Sequence, residues 1–297
     1  MYKVEELRKN EFSFLELRND ANTASAKILL DQGGRLQELK FDDIFLIKEQ
    51  ANFDYKSSYA SSILFPFANR IQAGKYSFQD KEYQFDCNES GKNALHGLVF
   101  DKKFQLIEKH ENSDNCSVTI AYKEEKESKG FPYTYEVYLT YTLTEKDISL
   151  SMKIVNTDSK PYPFTLGWHP YFISDDLSKS SLSFKSDKQI AFDDNLITKE
   201  IVDYKGVELF EIKDQQLDDS FILNSNKVGF KTPSYQIEIT TDTEDNYLQM
   251  YTPQGFSVLA IEPMTGVSDS FNNEIGLQTL EPKESYSVTW NVKMINN

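Results

Sequence analysis

Few side chains in this sequence suit proton transfer near neutral pH, so each can be weighed in its setting. There are three histidines. His169 stands inside Pro161-Tyr162-Pro163-Phe164-Thr165-Leu166-Gly167-Trp168-His169-Pro170-Tyr171-Phe172, where rings and prolines on both sides would hold one imidazole in a set orientation. That suits a general acid or base, although such a cluster also buries hydrogen-bonded histidines for architectural reasons. Glu262 follows the apolar run Phe256-Ser257-Val258-Leu259-Ala260-Ile261 and precedes Pro263. The run reads as a strand buried on both faces, with the acid at its exit and kept extended by the proline. Partial desolvation there would raise the carboxyl pKa and make a better base, the alternative being a strand-end glutamate in water.

Other candidates sit at comparable places. Asn69-Arg70-Ile71 closes the apolar segment Leu64-Phe65-Pro66-Phe67-Ala68, read as a strand. Of the four arginines (8, 18, 35 and 70), only Arg70 lies between an apolar run and a glycine-containing turn, where its fork of donors can address hydroxyls. His96 precedes Gly97, which permits either a tight turn or close approach to a ligand. Leu217-Asp218-Asp219-Ser220-Phe221 puts two acids before an aromatic strand start, which fits turn chemistry and a hydroxyl acceptor equally. His110, in Glu108-Lys109-His110-Glu111, reads as a surface residue.

The elements that must position these groups are strands. Tyr135, Val137, Leu139, Tyr141 and Leu143 alternate with polar or small residues, and after Thr144-Glu145-Lys146 the alternation resumes at Ile148, Leu150, Met152 and Ile154, predicting a long hairpin. The same period recurs at Tyr235, Ile237 and Ile239, and from Tyr286 to Met294, while sustained helical periodicity is hard to find. With 21 Phe and 17 Tyr, and turns such as Gln32-Gly33-Gly34 and Asn88-Glu89-Ser90-Gly91 between the strands, the chain reads as all-β, a sandwich or barrel. No linker or repeat divides it, so a single antiparallel domain over residues 1–297 is expected, with the charge run from Lys123 to Lys129 at a solvated hairpin tip.

Composition narrows the partners. The 297 residues are 39% hydrophobic and 13% aromatic, enough apolar area for a buried core. A formal charge of −15 repels nucleic acid and anionic lipid, so neither nucleic acid nor a membrane is expected as a partner. Cys87 and Cys116 have no metal-site or disulfide spacing and read as inert thiols, and no metal site is expected. The acidic N-terminus lacks the pattern of a signal peptide, and no window reaches the roughly 18 apolar residues of a membrane span. The expectation is a soluble cytoplasmic protein.

Together these residues give the sequence its resemblance to the aldose 1-epimerases, the galactose-mutarotase-like family. The likeness rests on Asn69-Arg70-Ile71 with Gly74-Lys75-Tyr76, Leu95-His96-Gly97, Gly167-Trp168-His169-Pro170-Tyr171-Phe172, Leu217-Asp218 with Phe221, and Glu262-Pro263 with Thr265-Gly266, in the family's order across about two-thirds of the chain. The resemblance implies a large antiparallel two-layered β-sandwich, the supersandwich. It also implies interconversion of the α and β anomers of a free aldohexose, such as glucose or galactose, by acid–base ring opening with no cofactor. On it, Glu262 is the catalytic base and His169 the catalytic acid. Arg70, His96 and Asn69 fall at substrate-binding positions, as does Asp218, with Asp219 the second choice. The pair is then expected to give a bell-shaped rate profile, its lower limb from Glu262 and its upper limb from His169.

Galactose mutarotases proper are longer and carry an Asn-His-Ser-Tyr-Phe-like segment where this chain has Trp168-His169-Pro170-Tyr171-Phe172, which places it nearer a shorter branch and bears on sugar identity. The competing readings are a hexose-6-phosphate 1-epimerase, which wants a phosphate pocket rich in arginine, and a non-catalytic carbohydrate-binding protein, which has no need of a matched acid and base. A glycosidase would need two carboxylates flanking one bond. The expected partner is a small sugar, and the expected assembly a monomer or homodimer.

Overall fold

The computed structural model describes residues 1–295. Five consecutive strands, Tyr2–Lys9, Phe12–Asn19, Ala24–Leu29, Arg35–Phe41 and Ile44–Ile47, form an antiparallel meander. A second, much larger antiparallel sheet runs from Gln105–Glu111 through Cys116–Glu124, Tyr135–Leu143, Asp147–Asn156, Ser285–Ile295, Gln236–Thr241, Asp218–Lys231, Tyr247–Tyr251 and Val258–Met264 to the short strands Gly167–Trp168 and Ile63–Leu64. This is the all-β, large-sheet architecture that the alternation predicts.

The period-two segments become strands for the expected reason. Tyr135–Leu143 buries every second residue without exception, and its register against Asp147–Asn156 sets Val137 opposite Ile154 and Leu139 opposite Met152. Those apolar faces join residues of the N-terminal meander, among them Leu15, Ile28 and Leu39, in one continuous core. Tyr141 crosses the layer and donates its hydroxyl hydrogen bond to the carbonyl of Gly34 (2.9 Å). Fully burying each such side chain contributes roughly 1.5–3 kcal/mol. His110 is exposed beside Glu108, and Cys116 is buried and Cys87 partly exposed, both as free thiols.

Three local expectations are corrected. Glu262 does not stand at a strand exit: the strand runs Val258–Met264 and all seven residues are buried, because a flanking strand on each side pairs with it. Asp218 and Asp219 are the first two residues of the strand Asp218–Lys231 and pair with Tyr251 and Met250, so they do not precede it. The apolar segment Leu64–Ala68 is strand only at Ile63–Leu64; the rest is irregular, and Arg70–Ile71 forms a separate two-residue strand against Ala94–Leu95. Its apolar character comes from burial in the core, where Phe65 and Phe67 lie; pairing within it is limited to Leu64 against Gly167 and a single bridge from Phe65 to Gly97. Among the described residues no helix is long and apolar enough to cross a membrane.

Candidate active site

Glu262 is held from both sides. Its strand pairs with Tyr247–Tyr251, setting Glu262 directly opposite Gln249, and on the other side with Tyr171–Ile173 and Gly167–Trp168. Glu262 as a whole is 2% exposed. His169 leaves the strand Gly167–Trp168 and is fixed by main-chain bonds: its N–H donates to Ser62 O (3.1 Å), its carbonyl accepts from Ser61 N–H (2.8 Å), and the carbonyl of Pro170 accepts from Ile261 N–H (3.2 Å). The imidazole therefore reaches Glu262, with Nε2 3.3 Å from Oε1. The Tyr171 and His96 rings lie against it with centroids 5.0 Å away, the latter perpendicular.

A strained pair of turns delivers the next three groups. Asn69 and His96 both adopt left-handed backbone (φ 57° and 64°), a conformation that asparagine tolerates and that costs most other residues with a Cβ roughly 1–2 kcal/mol. They are tied together by His96 N–H donating to Asn69 O (2.8 Å). The Asn88 side chain clasps the neighbouring Leu95, accepting from its N–H (2.7 Å) and donating to its carbonyl (3.0 Å). Gly97 is required here: at φ 76° a Cβ would sit 2.2 Å from Phe65 O. His96 is thus both a turn residue and a wall of the site.

Arg70 donates from Nε and Nη2 to the Glu89 carboxylate (2.9 and 2.7 Å) and from Nη1 to Asn69 Oδ1 (3.1 Å). Asn69 Nδ2 in turn faces Gln249 Oε1 (3.4 Å), and Gln249 Nε2 donates to Asp218 Oδ1 (2.7 Å). Asn69, Arg70, His96, His169, Asp218 and Glu262 all line one open cavity of about 430 Å³. Asp219 does not; its carboxylate accepts from Gln189. Trp168 and Phe172 are core residues, whereas Tyr59, Tyr171 and Tyr251 face the cavity.

Gln249 and Glu89 were missed by sequence reasoning. Gln249 is a buried amide in the otherwise apolar stretch Leu248–Met250, a signal that a period-two reading of Tyr247–Tyr251 would have raised. Glu89 sits in what reads as ordinary turn chemistry, and nothing local marks it as Arg70's partner.

Burial sets the protonation of the central pair. It pushes Glu262 well above the usual carboxylate range, and the nearby Asp218 charge adds to this while Arg70 opposes it. It also pulls His169 down to about 4, helped by Arg70. His96 falls well below its usual value, chiefly through burial, with the neighbouring His169 and Arg70 adding to this. Asp218 is raised by burial, against the pull of Arg70. The His169–Glu262 pair accordingly holds one titratable proton over a wide pH range. Carboxylic acid with neutral imidazole, and carboxylate with imidazolium, differ only by a shift along the Nε2–Oε1 contact. These directions reverse the order in which an ordinary glutamate and an ordinary histidine titrate.

Three polar atoms here are buried without a protein hydrogen-bond partner: Glu262 Oε2, His169 Nδ1 and His96 Nδ1. Such atoms are rare in folded proteins, and each retains hydrogen-bonding capacity that the protein does not fill. No group of His, Cys, Asp or Glu among the described residues has the arrangement of a metal site. An acid–base pair, an arginine and a carboxylate around an open polar cavity suit proton transfer to and from a small polyhydroxylated molecule.

Comparison with known proteins points the same way. The sequence model of one family, described as aldose 1-epimerase, matches residues 13–293. The uncharacterized protein YihR of Escherichia coli K12 is 24% identical over 273 residues, spanning 88% of this chain and 87% of that one. A galactose mutarotase of Sus scrofa is 27% identical over 192 residues, covering 62% of this chain and 53% of its own. Among solved structures, a galactose mutarotase-like protein from Clostridium acetobutylicum superposes with a TM-score of 0.89 at 21% identity, over 100% of this chain and 99% of that one.

Proposed function

This chain belongs to the aldose 1-epimerase family, and we propose that it interconverts the α and β anomers of a free aldohexose such as glucose or galactose. The observation that carries the reading is the 3.3 Å approach of His169 Nε2 to Glu262 Oε1 at the wall of the cavity, with Oε2 of the same carboxylate lacking a protein partner.

In this reading Glu262 removes the proton of the anomeric hydroxyl as His169 gives one to the ring oxygen. The C1–O5 bond breaks, the C1–O1 bond becomes a carbonyl, and the ring opens to the aldehyde. Rotation about C1–C2 presents the other carbonyl face. The two proton transfers run backwards as the ring closes, so no net proton is consumed. Burial favours the neutral form of both groups, so the resting pair first passes its proton from Glu262 to His169 and regains the neutral form while the sugar is open. Each positioned group contributes roughly 10²–10⁴-fold. Arg70, with two N–H bonds left over, holds the sugar, as do His96 Nδ1, Asn69 and Asp218. Tyr171 and Tyr251 supply ring surface for its apolar face.

A phosphorylated aldose fits less well, because among the described residues Arg70 is the one arginine lining the cavity and it is paired with Glu89. The test is the optical rotation of freshly dissolved α-glucose and α-galactose. The purified protein should speed its drift to equilibrium, and a rate equal to buffer with both sugars, and with other free aldohexoses, rules the proposal out.

A further inference from the structure

The charges around the cavity do not balance in favour of an anion. Glu89 and Asp218 face it, against Arg70 and the exposed Lys56 at its mouth, while the His169–Glu262 pair with its single proton adds no net charge. Arg70 is the cation deepest in the site, with 14% of its side chain exposed, and Glu89 takes its whole Nε–Nη2 edge: Nε donates to both carboxylate oxygens (2.9 and 3.0 Å) and Nη2 to Oε1 (2.7 Å). Glu89 is itself fixed. Its Oε2 accepts from Asn93 Nδ2 (3.1 Å), its N–H donates to Asn93 O (3.1 Å), and Asn93 Oδ1 accepts from Ala73 N–H (3.1 Å). Burial would raise its pKa, but its bonds to Arg70 and that cation's charge hold it below the usual range.

We infer that Glu89 is a specificity-determining residue, which cancels the charge of Arg70 while aiming its remaining donors into the cavity, so that the site accepts neutral aldoses and rejects those carrying a carboxylate or phosphate. The inference rests on the proposed function and deepens it. A bare guanidinium in this cavity would be a ready anion site, since its fork matches carboxylate and phosphate oxygens. With Glu89 in place the Nε–Nη2 edge of that fork is already filled by a carboxylate. A sugar acid must then displace Glu89 or lie beside it, and lying beside it sets like charges a few ångströms apart in a half-buried place, where one unit charge alters affinity by at least about tenfold. A neutral hydroxyl meets no such penalty, and it needs only the one N–H left on each terminal nitrogen of Arg70.

The test compares galactose with galacturonate, which differ by a carboxylate at C6. Their equilibrium binding to the wild-type protein, Glu89→Gln and Glu89→Asp is measured by titration calorimetry, and turnover is followed separately by optical rotation. Wild type should bind galactose at least about tenfold more tightly than galacturonate. Glu89→Gln keeps a similar shape and removes the charge, and should bind galacturonate more tightly in absolute terms, narrowing the ratio by about tenfold or more. Glu89→Asp keeps the charge and should preserve the ratio even where both affinities fall. A Glu89→Gln protein that loses affinity for both sugars in parallel, or a Glu89→Asp protein with the ratio of Glu89→Gln, overturns the inference, because the effect is then geometric. Binding without accelerated mutarotation in the wild type refutes the proposed function, and the affinity ratio still decides the part of Glu89.

Discussion

Replacing Glu262 by Gln should change how stability responds to acid, by an amount that the site itself sets. In the unfolded chain a histidine gains its proton below about 6.5 and a glutamate below about 4.5; in the folded protein His169 stays neutral down to about 4, while Glu262 keeps its proton well above its usual range. Between pH 6.5 and 4.5 the folded wild type thus carries one proton on this pair, on Glu262, and the unfolded chain also carries one, on His169. Equal proton counts give no slope. Glu262→Gln removes the folded-state proton and leaves the unfolded one. A histidine with a depressed folded pKa confers stability at high pH that is lost as pH falls from the unfolded value through the folded one. The variant should therefore lose stability relative to wild type as the pH falls, by on the order of 1 kcal/mol for each of those two units. Every other titrating group is common to both proteins and cancels in the difference. Urea denaturation of both proteins at half-unit pH steps measures it. A difference in unfolding free energy that stays constant from pH 6.5 to 4.5 would show that His169 is protonated in the folded variant and would refute the argument from burial.

The same pair makes further predictions. His169→Asn and Glu262→Gln should each lower the polarimetric rate constant by roughly 10²–10⁴-fold while circular dichroism stays that of the wild type; turnover near the wild-type rate removes that residue from the mechanism. The pH–rate profile should be broad, its acid limb near the value of about 4 set by His169 and its alkaline limb displaced upward with Glu262; a narrow bell centred between the ordinary carboxylate and imidazole values contradicts this protonation scheme. Gly97→Ala must carry a Cβ that meets Phe65 O at 2.2 Å in left-handed backbone, and should cost more than about 1 kcal/mol and disturb His96, lowering both melting temperature and activity. An unchanged melting temperature would mean that this turn tolerates ordinary backbone.

Strand after strand was legible because a half-buried strand writes its environment into every second residue, as in Tyr135–Leu143 and Ser285–Ile295. The N-terminal meander was less legible. Its outer strands mix charged and partly buried positions, as in Tyr2–Lys9, whose pattern decays after Val4. Glu262 stood out by chemistry, as an acid beside an apolar run, and its true place inside the strand was hidden because proline and the acid mimic a strand end.

By itself the sequence determined that the chain is all-β, that it carries the aldose 1-epimerase motifs, and which few polar groups stand apart from apolar surroundings, because alternation, composition and side-chain chemistry are local properties. Only the tertiary structure decided that residues as distant as Asn69 and Gln249, or Arg70 and Glu89, share hydrogen bonds, that Asp218 and not Asp219 faces the cavity, and that His169 and Glu262 exchange their ordinary order of titration. Register fixes which of two adjacent acids turns inward, and burial depends on what the rest of the chain stacks above a group, so neither can be read from neighbours in sequence.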